Sequence, residues 1–149
     1  MKCTILVSRN TPLSSVLGPY EMLCLANSLV PKEKRVQVDV VATDKKTFSS
    51  SSGFELDIKE SYDVIEQTDY LIVAPIGPVV EDTLNFDGGV LLWLSTQYEQ
   101  GAQLISLCTG AFLLAASGLL NGKAATTHWQ YELMFKRCFP AVSLQSNQV

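Results

Sequence analysis

Short apolar segments alternate along this chain with segments in which apolar residues recur at helical spacing. Buried strands are predicted at residues 3–7 (C-T-I-L-V), 70–74 (Y-L-I-V-A) and 103–107, and a strand near a sheet edge at residues 36–42. Helices are predicted from Ser14 to Pro31, over 90–98, from Thr109 onward and over 129–139. Strands that alternate with helices indicate an α/β fold with a mainly parallel sheet sandwiched by helices.

The predicted sheet places three polar turns at the carboxyl ends of strands. These are residues 8–12, residues 75–78 and the corner at Cys108. Ligands of open α/β sheets bind outside the carboxyl ends of the strands, so we expect the three turns to converge on one crevice. Residues 49–53 (S-S-S-S-G) are predicted to form a surface loop or hairpin, because alternation resumes directly after them.

The corner at Cys108 is the strongest candidate for chemistry. A buried strand at residues 104–107 runs into the first turns of a helix at residues 109–116, so the chain must turn sharply between them. The unsatisfied N–H groups and the dipole of that helix favour a thiolate. Gly110 and Ala111 are small enough for the helix to close against the strand. The pattern S-x-C-x-G corresponds to the nucleophile elbow G-x-S-x-G.

Other residues are candidates for a functional site only if they lie near Cys108. His128 is the single histidine, so a Cys–His pair would need it, although a lone histidine is more often a surface or hydrogen-bonded residue. The N–H groups of Gly77 and Thr109 could form an oxyanion hole, although a Gly-Pro turn is common in itself. The remaining cysteines lie in predicted elements and are interpreted as small buried hydrophobic residues: Cys3, Cys24 and Cys138.

Composition narrows the function classes. The net charge of −4 argues against nucleic-acid binding by these residues, and 47% hydrophobic against 17% charged residues is typical of a compact globule. A membrane span or signal peptide is not predicted, and the cysteines form no C-x-x-C pair, which points to a reducing cytoplasm. The chain has no glycine-rich phosphate loop, no H-E-x-x-H and no convincing carboxylate pair, so we expect no cofactor and no metal.

The segment from Cys108 to Trp129, C-T-G-A-F-L-L-A-A-S-G-L-L-N-G-K-A-A-T-T-H-W, resembles the signature of a known family. That family is the ThiJ/PfpI-like branch of the glutamine amidotransferase class I-like fold, which is flavodoxin-like. L-G-P-Y-E-M at 17–22, L-A-N at 25–27 and S-S-S-G at 50–53 resemble the N-terminal domain of AraC-type transcriptional regulators of that branch. The resemblance covers nearly the whole chain and implies that Cys108 is the elbow cysteine and His128 the histidine of the T-T-H segment.

Two departures from the family pattern bear on catalysis. Enzymatic relatives carry an acid where this chain has Ser15, and a serine hydroxyl cannot exchange the proton that cysteine chemistry needs near neutral pH. Glu21 lies six residues further along the predicted helix, on a different face. Ile76 stands where relatives often have glycine in the oxyanion turn. Both departures favour a sensor over an enzyme.

The resemblance therefore implies a ligand-sensing and dimerising domain of an AraC-type regulator. We expect residues 1–149 to form a single ThiJ/PfpI-like domain that lacks its last strand and helix, with a DNA-binding helix-turn-helix domain beyond residue 149. The expected ligand is a small-molecule effector such as an amine or amino-acid derivative, bound by a cytoplasmic homodimer. Its predicted site comprises Ser15, Ile76, Gly77, Cys108, Thr109 and His128. The alternatives are a cysteine-dependent hydrolase, hydratase or lyase acting through Cys108 and His128, and a dimerisation module with a vestigial pocket.

Overall fold

The computed structural model describes residues 1–44, 48–58, 60–79 and 84–148, with Phe48 described by its backbone alone. The strands are β1 (Lys2–Val7), β2 (Gln37–Ala42), β3 (Phe48–Ser49), β4 (Glu55–Leu56), β5 (Tyr70–Val73), β6 (Gln103–Ser106), β7 (Ala124–Ala125) and β8 (Ser143–Leu144). The helices are α1 (Ser14–Ser28), α2 (Gly88–Glu99), α3 (Ala111–Ala116) and α4 (Glu132–Cys138), and short 3-10 turns lie at Lys32–Lys34, Tyr62–Val64, Cys108–Gly110 and Trp129–Tyr131.

A four-stranded parallel sheet organises the chain, as the alternating pattern predicted. Its order is β2–β1–β5–β6, and Ile5 of β1 lies opposite Val40 on one side and Ile72 on the other. This is the order that flavodoxin-like sheets share over their first four strands. Because the chain crosses from β2 over β1 to β5, the loops after β1 and β5 leave the sheet at its topological switch point.

Helices cover both faces of the sheet. On one face Val16 of α1 packs with Ile5 and Ile72, and on the other face Val90 of α2 and Leu113 of α3 pack with strand residues such as Leu71. A further cluster joins α3 to α4, where the Phe112 and Phe135 rings meet edge to face with their centroids 4.9 Å apart. The helices therefore fix the loops that leave the carboxyl ends of the strands.

Strand β6 differs from its prediction as a buried strand. It is the outer strand of the sheet, and Ile105 at its centre is 42% exposed. A short apolar segment can form either a central or an outer strand, because its sequence does not show how many strands will pair with it. The prediction of full burial for this strand is wrong, whereas the strand itself is confirmed.

Smaller elements follow the sequence closely. The predicted hairpin around 49–53 is present as the antiparallel pair β3 and β4. The predicted helix over 129–139 is divided into a 3-10 turn, Trp129–Tyr131, and α4. Pro19 lies inside α1, within its second turn, and the helix begins at Ser14. Among the described residues, no helix has the length and apolar character needed to cross a membrane.

Candidate functional site

Cys108 occupies the corner between β6 and the 3-10 turn that leads into α3. Its backbone has a φ of 52°, in the left-handed region that residues other than glycine adopt rarely and at a cost of about 1–2 kcal/mol. Its side chain is exposed. The strand–turn–helix corner predicted from S-x-C-x-G is therefore present, with the thiol accessible from solvent.

Glycine at position 110 makes this tight turn possible. A Cβ atom there would lie 2.4 Å from the carbonyl oxygen of Val73 and 2.9 Å from that of Ala74. The Leu107 N–H also donates to the Val73 carbonyl at 2.9 Å, so the Cys108 turn rests directly on the end of β5. The small size of Gly110 is required by contacts with the neighbouring strand.

Two buried threonine hydroxyls connect the loops at the carboxyl end of the sheet. Thr109 Oγ1 donates to the Ile76 carbonyl at 2.7 Å, which ties the Cys108 turn to the loop after β5. Thr11 Oγ1 donates to the Pro75 carbonyl, also at 2.7 Å, which ties the loop after β1 to the same segment. The three loops that the sequence predicted to converge are thus in contact with one another.

Gly77 is packed against the loop after β1. A Cβ atom at Gly77 would lie 2.4 Å from Cβ of Asn10, whose own φ is 61°. Among the residues that the structure describes, neither the Gly77 N–H nor the Thr109 N–H donates a hydrogen bond to the protein. These are the two N–H groups that the sequence suggested for an oxyanion hole, and ligand atoms could accept from them.

The segment that contains His128 contacts the Cys108 turn through Thr127, the residue before the histidine. Thr127 Oγ1 donates to the Cys108 carbonyl at 3.3 Å. The His128 ring is half-buried, and its Nδ1 accepts the Gln130 N–H at 3.2 Å at the start of the Trp129–Tyr131 turn. The Nδ1 lone pair of the ring is therefore engaged by the backbone.

His128 is also held by aromatic rings. It stacks on Trp129 at a centroid distance of 5.5 Å and lies 5.7 Å from Tyr131. Tyr131 in turn meets the buried ring of Phe112 edge to face. The orientation of the imidazole is therefore coupled to the packing of α3, which begins directly after the Cys108 turn.

Ser15 lies in the first turn of α1 and is half-buried. Its N–H donates to the Pro12 carbonyl at 3.0 Å, which joins the loop after β1 to the helix. Glu21 is exposed. Position 15 therefore presents a hydroxyl and not a carboxylate.

A cavity of about 570 Å³ opens at the switch point of the sheet. Its lining comes from the loops after β1, β2 and β5, the segment before α2, and the side chains of Val90 and Leu113. The described lining residues are Ser8, Arg9, Asn10, Thr43, Asp44, Ile76, Gly77, Pro78, Asn85, Phe86, Asp87, Val90 and Leu113. Ile76 and Gly77 thus face this cavity, and Ser15, Cys108, Thr109 and His128 are not among the residues that line it.

The other cysteines separate into two kinds. Cys3 is buried, and this burial raises the pKa of its thiol, as expected for a small hydrophobic residue in a strand. Cys24 and Cys138 are exposed, so their interpretation as buried residues is wrong. Cys24 lies in α1 and Cys138 ends α4, and the sequence spacing did not decide which side of its helix each cysteine takes. The described residues contain no group of three or more His, Cys, Asp or Glu side chains able to hold a metal ion.

Some contacts at the candidate site had no clear sequence signal. The hydrogen bonds of Thr11 and Thr127 join segments far apart in the chain, and threonine is common in loops and strands. The left-handed Asn10 had a weak signal in the run R-N-T-P, since asparagine before a proline-containing segment favours a turn. A capping role for His128 was likewise not predicted.

A model of the DJ-1/PfpI family matches residues 5–138, and the chain belongs to that family. Isonitrile hydratase from Pseudomonas putida is 35% identical over 117 residues, which are 76% of this chain and 46% of the hydratase. The HTH-type transcriptional regulator GbdR from Pseudomonas aeruginosa is 26% identical over 137 residues, which are 92% of this chain and 36% of the regulator. The chain thus spans about half the length of the hydratase and just over a third of GbdR.

Solved structures agree on the fold. A provisionally assigned transcriptional regulator from Vibrio parahaemolyticus superposes with a TM-score of 0.89 at 21% identity, over 99% of this chain and 77% of that one. An AraC family transcriptional regulator from Pseudomonas putida superposes with a TM-score of 0.76 at 20% identity, over 97% of this chain and 75% of that one. The resemblance to the ThiJ/PfpI-like domains of AraC-type regulators is confirmed.

Proposed function

We propose that this chain is the effector-sensing domain of an AraC-type transcriptional regulator. A small metabolite binds at the carboxyl end of the sheet, around Ser15, Ile76, Gly77, Cys108, Thr109 and His128, without being chemically changed. DNA is bound through a separate C-terminal domain, and the regulator works in the cytoplasm as a homodimer. The similarity to GbdR supports the regulatory part of this proposal.

One observation carries the preference for sensing over catalysis. The Cys108 turn is present, whereas the two positions expected to exchange protons with its thiol are poorly suited to do so. Ser15 stands where the resemblance implies an acid in enzymes, and His128 Nδ1 accepts the Gln130 N–H at 3.2 Å. A cysteine nucleophile needs a base that takes its proton and returns it to the product. A binding site needs only the shape and the hydrogen-bond donors, which Gly77 and Thr109 retain.

A sensor also requires that its ligand favour one arrangement of the regulator over another. The loops at the site are linked in series by hydrogen bonds from Thr11 to Pro75 and from Thr109 to Ile76. A ligand that contacts any one loop would therefore shift the others. Through Pro12 the chain of contacts continues to the first turn of α1.

The test measures ligand-induced stabilisation. Simple amines and amino acids, with ethanolamine and L-leucine as first probes, are screened for an increase in melting temperature. Saturation at about 100 times Kd stabilises the native state by about 2.7 kcal/mol. We expect Cys108→Ala to reduce the increase and Cys138→Ala, which removes another exposed thiol, to leave it unchanged. An undiminished response in Cys108→Ala would remove Cys108 from the site.

The second candidate function is a cysteine-dependent hydratase, hydrolase or lyase, and the 35% identity to isonitrile hydratase favours it. The assay follows hydration of an alkyl isonitrile by the wild type and by Ser15→Asp, with the adjacent exposed Ser14→Asp as the matched control. We expect turnover to be absent from the wild type and from Ser14→Asp, and to be gained only by Ser15→Asp. Substantial turnover by the wild type would reverse the assignment in favour of the enzyme.

A further inference from the structure

The outer strand β2 has a sheet neighbour on one side only. It stands first in the order β2–β1–β5–β6, so β1 is the only strand beside it among the described residues. The Gln37 N–H donates to the Met1 carbonyl at 3.0 Å, and the Thr43 N–H donates to the Val7 carbonyl at 2.9 Å. Because the backbone groups of successive strand residues point to alternate sides, the odd-numbered residues of β2 face β1 and the even-numbered residues face outward.

The protein closes both ends of this outward side. At one end the Val36 N–H donates to Asn27 Oδ1 at 2.8 Å, and Asn27 Nδ2 donates to the Val36 carbonyl at 2.7 Å. At the other end the Ala42 N–H donates to the Glu60 carbonyl at 3.0 Å, and Ala42 forms a parallel bridge with Ser61. Contacts of this kind protect an outer strand from pairing with other chains.

The backbone between the two closed ends is left open. Val38 and Val40 make no hydrogen bond on the outward side to any residue that the structure describes. We call the outward N–H and carbonyl groups of Val38 and Val40 the β2 gap. At about 3.3 Å per residue, Val36 and Ala42 are about 20 Å apart, so an extended segment of about five residues fits between the closed ends.

A cavity of about 540 Å³ lies along the β2 gap. Val38 and Val40 line it from the strand, and Ile58 and Ile65 line it from the segment that connects β4 to β5. Ile58 and Ile65 are 8% and 6% exposed, so they form an apolar wall fixed in the core. The β2 gap therefore offers hydrogen bonds together with space for apolar side chains.

The two faces of β2 differ beside this cavity. Val38 and Val40 pack with the core cluster that contains Ile58, whereas Asp39 lies on the opposite face of the strand and also lines the cavity. Successive side chains of an added strand would lie beside these two faces in turn. We therefore expect an occupant in which apolar residues alternate with basic ones.

The charges around the cavity favour a cationic occupant. The acidic residues that line it are Asp39, Asp57 and Glu60, and the basic residue among its described lining is Lys2. Lys2 pairs with Asp39 at 3.4 Å, whereas the exposed Asp57 and Glu60 make no ion pair with any described residue. Lysine or arginine side chains would meet these two carboxylates, while a second copy of this chain would bring a further net charge of −4.

We propose that the β2 gap binds an extended, basic segment of a partner protein, which joins the sheet as an additional strand beside β2. The β2 gap lies on the outer edge of the sheet and the candidate effector site at its carboxyl end, so this inference does not depend on the proposed function. Four main-chain groups and a short apolar contact bind weakly, and we expect a Kd on the order of 100 μM for a five-residue segment.

The experiment uses the peptide acetyl-Val-Lys-Val-Lys-Val-amide as its probe. It is titrated into the 149-residue chain up to about 2 mM, and binding is measured by isothermal titration calorimetry. We expect saturable binding. The peptide acetyl-Val-Glu-Val-Glu-Val-amide has the same length and alternation with the opposite charge, and it should bind at least about tenfold more weakly.

Val40→Pro tests the hydrogen bonds of the β2 gap. Proline removes an N–H that faces outward and keeps the hydrogen bonds to β1, so an outer strand tolerates it at this position. We expect the affinity for the lysine peptide to fall at least about tenfold. Val40→Thr is the matched control, because it keeps the N–H and the branched shape, and it should bind like the wild type.

The double variant Asp57→Asn, Glu60→Gln tests the charges at two exposed positions whose exchange leaves the core untouched. It should weaken binding of the lysine peptide about fivefold. Circular dichroism should show unchanged secondary structure in each variant, and the double variant decides the test if Val40→Pro does not fold.

Several results would overturn the proposal. Among them are a wild type that does not bind the lysine peptide, equal affinities for the two peptides, and a double variant that binds like the wild type. Sedimentation velocity of the wild type without peptide tests the alternative occupant. A dimer that Val40→Pro abolishes would assign the β2 gap to a second copy of this chain instead.

Discussion

The two sides of Cys108 are built in different ways. On the side of β5, a Cβ atom placed on Gly110 would lie 2.4 Å from the Val73 carbonyl oxygen. On the same side, the Thr109 hydroxyl donates a buried hydrogen bond to the Ile76 carbonyl. On the side of His128, the hydrogen bond to the turn comes from the exposed Thr127 hydroxyl at 3.3 Å, and the rings of His128, Tyr131 and Phe112 link the segment to α3. The first side is fixed by close backbone contacts and a buried hydrogen bond, whereas the hydrogen bond on the second side is accessible to solvent.

The residues that hold the Cys108 turn in place, Gly110 and Thr109, are therefore different from those that could take part in proton transfer. We call the turn with its contacts to β5 the frame of the site. The frame needs only small residues and a hydroxyl in the correct places, and it holds the thiol at the corner regardless of what stands opposite. Proton transfer to or from the thiol would need a group outside this frame, and His128 Nδ1 already accepts the Gln130 N–H.

The strongest test of the rigid side is Gly110→Ala. The added methyl group meets the carbonyl oxygens of Val73, the last residue of β5, and of Ala74, and the Val73 carbonyl cannot move without disturbing the sheet, so we expect a loss of about 3 kcal/mol in the free energy of unfolding. Urea unfolding followed by circular dichroism measures it. Gly88→Ala is the control, because nothing lies within 4 Å of a Cβ at Gly88. Equal stability of the two variants would contradict the contact.

Thr109→Val tests the hydroxyl on the same side. The side chain keeps its shape but loses its hydrogen bond, which leaves the Ile76 carbonyl buried without this donor at a cost of about 1–3 kcal/mol. Thr96→Val removes an exposed hydroxyl that bonds the Leu92 carbonyl within α2, and we expect it to change stability by less than about 0.5 kcal/mol. Chemical unfolding of both variants measures the difference, and a Thr109→Val as stable as Thr96→Val would refute it.

Thr127→Val tests the other side of the comparison. Because its hydrogen bond to the Cys108 carbonyl is exposed, we expect a loss of no more than about 1 kcal/mol. Native-state hydrogen exchange should nevertheless show faster opening near residues 126–131 than near residues 107–110. A loss as large as that of Thr109→Val would mean that the two sides are equally fixed.

The smallest expected change in stability comes from a cysteine outside the candidate site, Cys3. Ellman's reagent should label the exposed Cys24, Cys108 and Cys138 in the native protein, and Cys3 only after unfolding.

Burial raises the pKa of the Cys3 thiol above the ordinary value of 9.0, so the unfolded chain loses this proton first as pH rises. The native state therefore loses stability above about pH 9, by less than about 1 kcal/mol at first. Cys3→Ala should show a shallower decline with pH, and an equal decline would exclude Cys3 as its source.

The sequence by itself determined the elements and the central corner. Alternating apolar segments gave the order of strands and helices, because periodicity of side chains is a local property of each segment. The pattern S-x-C-x-G located the turn at Cys108 and the need for a small residue at position 110. The C-T-G-A-F to T-T-H-W segment led to the correct family before any contact was known.

Tertiary structure alone decided which segments are neighbours. Strand β6 has an exposed edge because no further strand pairs with it among the described residues, a fact that its own residues do not encode. The capping role of His128 and the hydroxyl bridges of Thr11, Thr109 and Thr127 depend on segments up to 64 residues apart in the chain. Such contacts arise from the packing of the whole fold, since the free energy of a hydrogen bond depends on burial and geometry that only the assembled sheet supplies.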